Sequence, residues 1–238
     1  MVYQSPTTET VAIADVSLGV KPGEFVSIVG PSGCGKSTLL DIICSLVTPT
    51  RGTVRMNSRV GYMLQRDHLL EWRSILQNCM LGPELQGHNL KEAREYVNHL
   101  LRAYGLHDFT NHYPRQLSGG MRQRAALIRT LAVKPDVLLL DEPFSSLDYQ
   151  TRLAVADEVW TILQKEGKTA ILVTHDIAEA ISMADRVVVL TARPASVKKT
   201  IPIVMTSEGP PLMRRQDERF REYFDMIWKE LDIHVSMV

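Results

Sequence analysis

The chain has 238 residues, 45% hydrophobic and 23% charged, enough apolar material for a full globular core. Its 27 Lys and Arg balance 27 Asp and Glu, so a net basic footprint for nucleic acid is absent, though a local patch stays open, and aromatics at only 6% argue against a base-stacking platform. Three cysteines (Cys34, Cys44, Cys79) without C-x-x-C spacing fit neither a disulfide framework nor a zinc site and point to a reducing compartment.

The opening residues Met1 to Pro6 lack the basic and apolar regions of a secretory leader. No apolar run approaches the roughly 20 residues of a membrane span, so the chain is expected to be soluble by itself. Strands are predicted at Val16 to Val20, Phe25 to Val29, Val137 to Leu140, Ala170 to Val173 and Arg186 to Leu190. The last three lack alternation and should lie buried on both faces of a mostly parallel sheet. A helix is expected over Lys91 to Tyr104, with Ala93, Val97, Leu100, Leu101 and Tyr104 on one face. Asp176-x-x-Glu179 reads as a capping box opening another. A C-terminal helix should carry Phe220, Phe224, Ile227, Trp228 and Leu231 as its apolar stripe. The alternation of strands and helices makes the chain α/β. From about 66 to 120 the rhythm turns helical, with breaks at Gly82-Pro83 and Gly87, as in an inserted subdomain.

Gly30-Pro31-Ser32-Gly33-Cys34-Gly35-Lys36-Ser37 satisfies G-x-x-x-x-G-K-[ST] between a strand and an apolar helix. Glycines let backbone N–H groups close around a phosphate, and the helix start adds positive potential. Lys36 should reach the β- and γ-phosphates and Ser37 should ligate Mg²⁺. Cys34, inside the loop, is a small residue tolerated there. About a hundred residues on, Val137 to Leu140 lead into Asp141 and Glu142, carboxylates at the strand end where open α/β sheets bind ligands. Asp141 would orient Mg²⁺, and Glu142 could polarise a water. Leu117-Ser118-Gly119-Gly120-Met121 opens a helix through Ala125, Ile128 and Leu131. Ser118 is there an N-cap, and the same exposed N–H groups also make an anion site.

These motifs together resemble the ATP-binding subunits of ABC transporters over nearly the whole chain. The ordered family set is P-loop, Q-loop glutamine, signature, Walker B with glutamate, D-loop and switch histidine. Its counterparts are Gly30 to Ser37, Gln65, Leu117 to Met121, Asp141-Glu142, Ser146-Leu147-Asp148 and His175. Met121 stands where the signature usually has glutamine. The resemblance implies a P-loop NTPase core with a mostly parallel sheet, a small antiparallel β region and the helical insertion. It implies ATP bound by residues 30–38, Thr38 included, and hydrolysed with Mg²⁺. It implies head-to-tail pairing with a second such subunit, each ATP lying between one P-loop and the partner's Ser118, Gly119 and Gly120. Gln65 would sense metal and attacking water, and His175 the γ-phosphate. Tyr3 is either the adenine-stacking aromatic of the family or an ordinary end residue.

Lacking fused membrane helices, the chain resembles importers with a separate permease. Gly61 to Arg73, around Gln65-Arg66-Asp67-His68-Leu69-Leu70-Glu71-Trp72, resembles the nitrate/sulfonate/taurine group, which includes thiamine-precursor transporters. That implies a transmembrane permease partner, indirectly a solute-binding protein, and a place on the cytoplasmic face of the membrane. The alternative is a soluble ABC ATPase of cofactor assembly, as in iron–sulfur assembly. Leu69, Leu70 and Trp72 are either core or permease contact. With about 35 positions between Gly30 and Gln65, the antiparallel sheet is expected to be abridged around Gly52 to Val60.

Overall fold

The computed structural model describes residues 1–4, 9–207 and 209–231; His234, which has no metal-ligand spacing, lies outside them. In chain order the elements are β1 (Val2–Gln4), β2 (Glu9–Val11), β3 (Ile13–Asp15), β4 (Phe25–Val29), α1 (Lys36–Ile43) and β5 (Val60–Met63). Then follow α2 (Ile75–Leu85), α3 (Leu90–Ala103), two short 3₁₀ turns, α4 (Gly119–Leu131), β6 (Val137–Asp141) and α5 (Tyr149–Lys165). The chain ends with β7 (Thr169–Val173), α6 (Ile177–Met183), β8 (Arg186–Leu190), β9 (Ala195–Pro202), α7 (Pro211–Arg214) and α8 (Phe220–Glu230). It divides into two compact units, Met1–Asn57 with Trp160–Val238, and Ser58–Val159.

In the first unit β4 lies between β7 and β8, parallel to both. Every residue of β4 and β7 is buried, which explains why neither alternates between apolar and polar positions, Ser27 being the one polar side chain inside β4. β9 returns antiparallel along β8, and β3 pairs parallel with β9. α6 packs on β4 and carries α7 and α8 on its other contacts. β1 and β2 form a separate two-stranded antiparallel sheet, and residues 45–59 hold no strand, so the antiparallel region is small.

In the second unit β5 and β6 pair in parallel, with Met63 opposite Leu140. α2 packs on α3 and α4, and α4 on β5. The helix starts are chemically marked. Ser74 and Gln77 form a reciprocal capping box on α2, and the Asn89 side chain accepts from the first-turn N–H groups of α3. The periodic face expected on α3 is buried as Val97, Leu100 and Leu101, with Tyr104 just beyond its end.

Three expectations need correction. Val16 to Val20 alternates in exposure but is not a strand, because the register with β9 takes up Ile13 and Asp15 instead. Gly82-Pro83 does not break α2, which ends two residues later. Pro83 removes one helical hydrogen bond without ending the helix, and Gly82 lets Val133 pack against the helix backbone. The stripe on α8 is only partly used: Ile227 is fully buried, whereas Trp228 stacks on Phe224 and remains exposed. Leu101, fully buried on α3, tests the helical packing. Leu101→Ala should cost about 2–5 kcal/mol, read as a lower urea midpoint at unchanged denaturant slope.

Candidate nucleotide site and signature helix

The phosphate-binding motif folds as its composition requires. β4 leaves the sheet at Gly30, where an added Cβ would come within 3.0 Å of Cys34 Sγ and 3.1 Å of Leu190 Cβ. The turn ends at Gly35, with φ 113° and an added Cβ 3.2 Å from the Ala12 carbonyl oxygen; only glycine suits both constraints. Lys36 opens α1, and its buried ammonium donates to the Gly30 and Pro31 carbonyl oxygens at 2.8 and 3.0 Å. The lysine thus lies folded across its own loop, a charge held where an anion's oxygens would compete for it. Ser32, Gly33 and Ser37 are exposed, Pro31 and Thr38 half-buried. The Cys34 side chain turns into the core, and its N–H donates to the Pro31 carbonyl. No acidic residue sits in the first turn of α1, which leaves the helix-start potential positive.

Tyr3, on β1, donates its hydroxyl to Thr38 Oγ1 at 3.4 Å and keeps 42% of its surface exposed. The two-stranded sheet therefore sets an aromatic ring beside the first turn of α1. His175 follows β7 after one residue and is exposed. Its neighbours hold the bend: the Asp176 N–H donates to Thr174 Oγ1 at 3.0 Å, and the Asp176 carboxylate caps α6 by accepting from the Glu179 N–H.

In the second unit, β6 delivers Asp141 buried at its end and Glu142 just beyond. Glu142 takes a left-handed backbone, φ 47°, at a cost on the order of 1 kcal/mol. Its carbonyl accepts from both the N–H and the hydroxyl of Ser145. That backbone aims its carboxylate at Gln65, whose Nε2 donates to Glu142 Oε2 at 3.1 Å. Two residues singled out in sequence are thus joined directly, 77 positions apart.

The signature segment is, as its composition predicts, a helix start. Ser118 caps α4 by accepting from the Met121 N–H, Ser118 and Gly119 are exposed, and the first turn holds no acid. At Gly120 an added Cβ would come within 3.0 Å of Leu147 Cδ2. Ser146 of the same D-loop donates to Gln123 Oε1 at 2.9 Å.

Sequence reading missed what anchors the segment after Gln65. Asn78, fully buried on α2, accepts from the Leu70 N–H and donates to the carbonyls of Leu70, Arg73 and Ser74. Arg122 grips Asp67 through two bonds of 2.9 and 3.1 Å and reaches Glu71 at 2.9 Å. Arg129 donates to the carbonyl oxygens of His68 and Asp67. No local motif marks the two arginines, because their partners lie more than fifty positions away. Leu69 is core, Leu70 half-buried, and Trp72 is 75% exposed.

Burial works to raise the Asp67 carboxyl, but the hydrogen bonds from Arg122 and the Leu69 N–H, with the charges of Arg122 and Arg129, hold it below the ordinary range. A carboxylate depressed in the folded state stabilises above its unfolded pKa, and that stability is lost as pH falls through the folded value. The difference in urea midpoint between parent and Asp67→Asn should therefore be largest near neutral pH and close as pH drops below about 4. A pH-independent difference would mean that the Asp67 charge contributes nothing.

The ABC transporter family model matches residues 13–145. The uncharacterized ABC transporter ATP-binding protein YtlC of Bacillus subtilis (strain 168) is 44% identical, over 97% of this chain and 92% of that protein. The taurine import ATP-binding protein TauB of Jannaschia sp. (strain CCS1) is 40% identical over 83% of this chain and 77% of that protein. The nitrate import ATP-binding protein NrtD of Synechocystis sp. (strain ATCC 27184 / PCC 6803 / Kazusa) is 38% identical, at 95% and 90% coverage. Among solved structures, the ATP-binding cassette MJ0796, dimeric in a post-hydrolysis state with ADP and Pi, matches with TM-score 0.76 and 32% identity. That match covers 85% of this chain and 95% of the other. With a lysine-bearing phosphate loop after β4, a glutamine-linked glutamate after β6 and a glycine-rich start to α4, the chain belongs to the ABC transporter family, as an ATP-binding, ATP-hydrolysing subunit.

Proposed function

We propose that this subunit powers solute import, acting as a pair of like subunits beneath a transmembrane permease on the cytoplasmic face of the membrane. The observation that carries the pairing is the start of α4: exposed Ser118 and Gly119, Gly120 behind them, and no acid to repel phosphate. Such a helix start suits an anion. In this reading the γ-phosphate it meets belongs to ATP on the phosphate loop of the second subunit, residues 30–38. The dimeric cassette found among solved structures supports that arrangement.

Ser37 and Asp141 are hard oxygen donors of the kind Mg²⁺ takes, with Gln65 as a third. When bound, the ion would neutralise phosphate charge. Lys36 would hold the β- and γ-phosphates, Glu142 would accept a proton from the attacking water, and Gln65 would orient that water and the carboxylate together. His175 would contact the γ-phosphate, and Tyr3 would stack on adenine. The helical stretch 66–120 would act as the inserted subdomain that carries the signature at its end.

The import role draws on relatives named for taurine and nitrate import, at 40% and 38% identity, so a nitrate-, sulfonate- or taurine-like compound is the proposed solute. Among the described residues no helix is long and apolar enough to cross a membrane, in keeping with a peripheral subunit. Nucleic acid is not a proposed partner. Trp72, 75% exposed between Glu71 and Arg73, is the proposed permease contact: an apolar centre with a charged rim.

Glu142→Gln should lower ATP turnover by at least about a hundredfold, the scale of a lost general base, while ATP binding persists. Removing a negative charge near the triphosphate should also lengthen the life of the ATP-held dimer, read by sizing chromatography with ATP and Mg²⁺. Wild-type turnover in this variant would remove Glu142 from its role. For coupling, Trp72→Ala should leave basal ATPase intact and cut permease-dependent transport or co-purification with the permease. Recovery of a cofactor-assembly complex in place of a permease would favour the soluble alternative.

A further inference from the structure

The first turns of α4 hold more than the signature. Arg122 and Gln123 are adjacent, immediately after Met121, and each reaches a different functional loop: Arg122 the segment after Gln65, and Gln123 the D-loop. The Arg122 guanidinium spans Asp67 by two bonds and Glu71 by a third. A planar fork bound to a carboxylate at two points fixes orientation as well as distance. One face of the same helix, two turns on, supplies Arg129 to the His68 and Asp67 carbonyls.

These bonds fasten a backbone that leaves regular geometry. His68 sits in the left-handed region at φ 44°, and Asp67 also accepts from the Leu69 N–H at 3.0 Å. Two residues before Asp67 lies Gln65, bonded to Glu142. A continuous path therefore runs from the glycine-rich helix start, through Arg122 and Asp67, to the amide that touches the Glu142 carboxylate.

We infer that Arg122 and Asp67 are a positioning pair: they make the placement of Gln65 against Glu142 depend on the placement of the signature helix in the same chain. This rests on the proposed role of the helix start as a phosphate contact and deepens it. Phosphate engaged at Ser118 would bear on the hydrolytic carboxylate of its own subunit through an ion pair. Neither residue touches nucleotide in this account.

The test is steady-state ATPase kinetics of purified full-length protein, with ATP as the probe. Arg122→Gln should lower kcat about tenfold while KM for ATP stays within about twofold, since the phosphate loop is untouched. Arg122→Lys, which keeps the charge but not the fork, should recover only part of the loss. In a Gln65→Ala background Arg122→Gln should cause no further fall in kcat, because the pair acts through the missing amide. Should Arg122→Gln fail to fold, Asp67→Asn, equal in shape, gives the same comparison. Unchanged kcat, or losses that multiply with Gln65→Ala, would overturn the pairing. Absence of turnover in the parent protein would instead strike at the reading of the site on which the pair depends.

Discussion

A strand buried on both faces must leave its sheet in a tight turn, and the turn after β4 is the constraint on which the rest depends. All five residues of β4 are buried between β7 and β8, so the chain has no lateral freedom when it reaches Gly30. It turns where Leu190 and Cys34 leave no room for a side chain, and it re-enters a helix at Lys36 with Gly35 in a left-handed backbone. The loop so enclosed is closed from within by the Cys34 N–H on the Pro31 carbonyl and by the Lys36 ammonium on the Gly30 and Pro31 carbonyls. The packing of buried strands thus fixes the place of the loop on which the proposed phosphate contact rests.

The second unit reaches a similar end by a different route. α4 begins at a capped serine followed by two glycines, and its first turn lacks the acidic residues that ordinarily favour a helix start. α6 and α3, by contrast, carry Glu179 and Glu92 in their first turns. The absence of acid on α1 and α4 costs each helix a little stability and keeps its positive end open to an anion. α2 and α5 also begin without acid, so it is the glycines beside the starts of α1 and α4, more than the missing charge, that set these two apart.

Polar side chains give the second unit its internal order. Asn78 uses its amide fully to pin the loop from Leu70 to Ser74, and Arg122 and Arg129 hold the stretch before it. Buried or half-buried polar networks of this kind are costly when incomplete and specific when satisfied. They leave Trp72 outside while Leu69 enters the core. Trp72 is thereby held at the surface beside a tightly fixed loop, which is what the proposed permease contact requires.

Much was legible without coordinates because it depended on neighbours in sequence. The phosphate loop needs consecutive residues, the buried strands needed unbroken apolar runs, and the helix starts at Ser118 and Asp176 are local hydrogen-bond patterns. The helical face of Val97, Leu100 and Leu101 followed from a period of 3.6 residues. What only tertiary structure decided was pairing at long range. β3 took Ile13 to Asp15 rather than Val16 to Val20 because β9, some 180 positions later, supplied the register. The polar strand β9 was invisible, since its Lys198 and Lys199 are exposed and carry no core signal. Gln65 and Glu142 were each marked by motif, but their bond, and the clamp of Arg122 on Asp67, required the chain to be folded. An ion pair or amide contact leaves no periodicity in sequence; its specificity lies in distance and angle, which only the packed chain supplies.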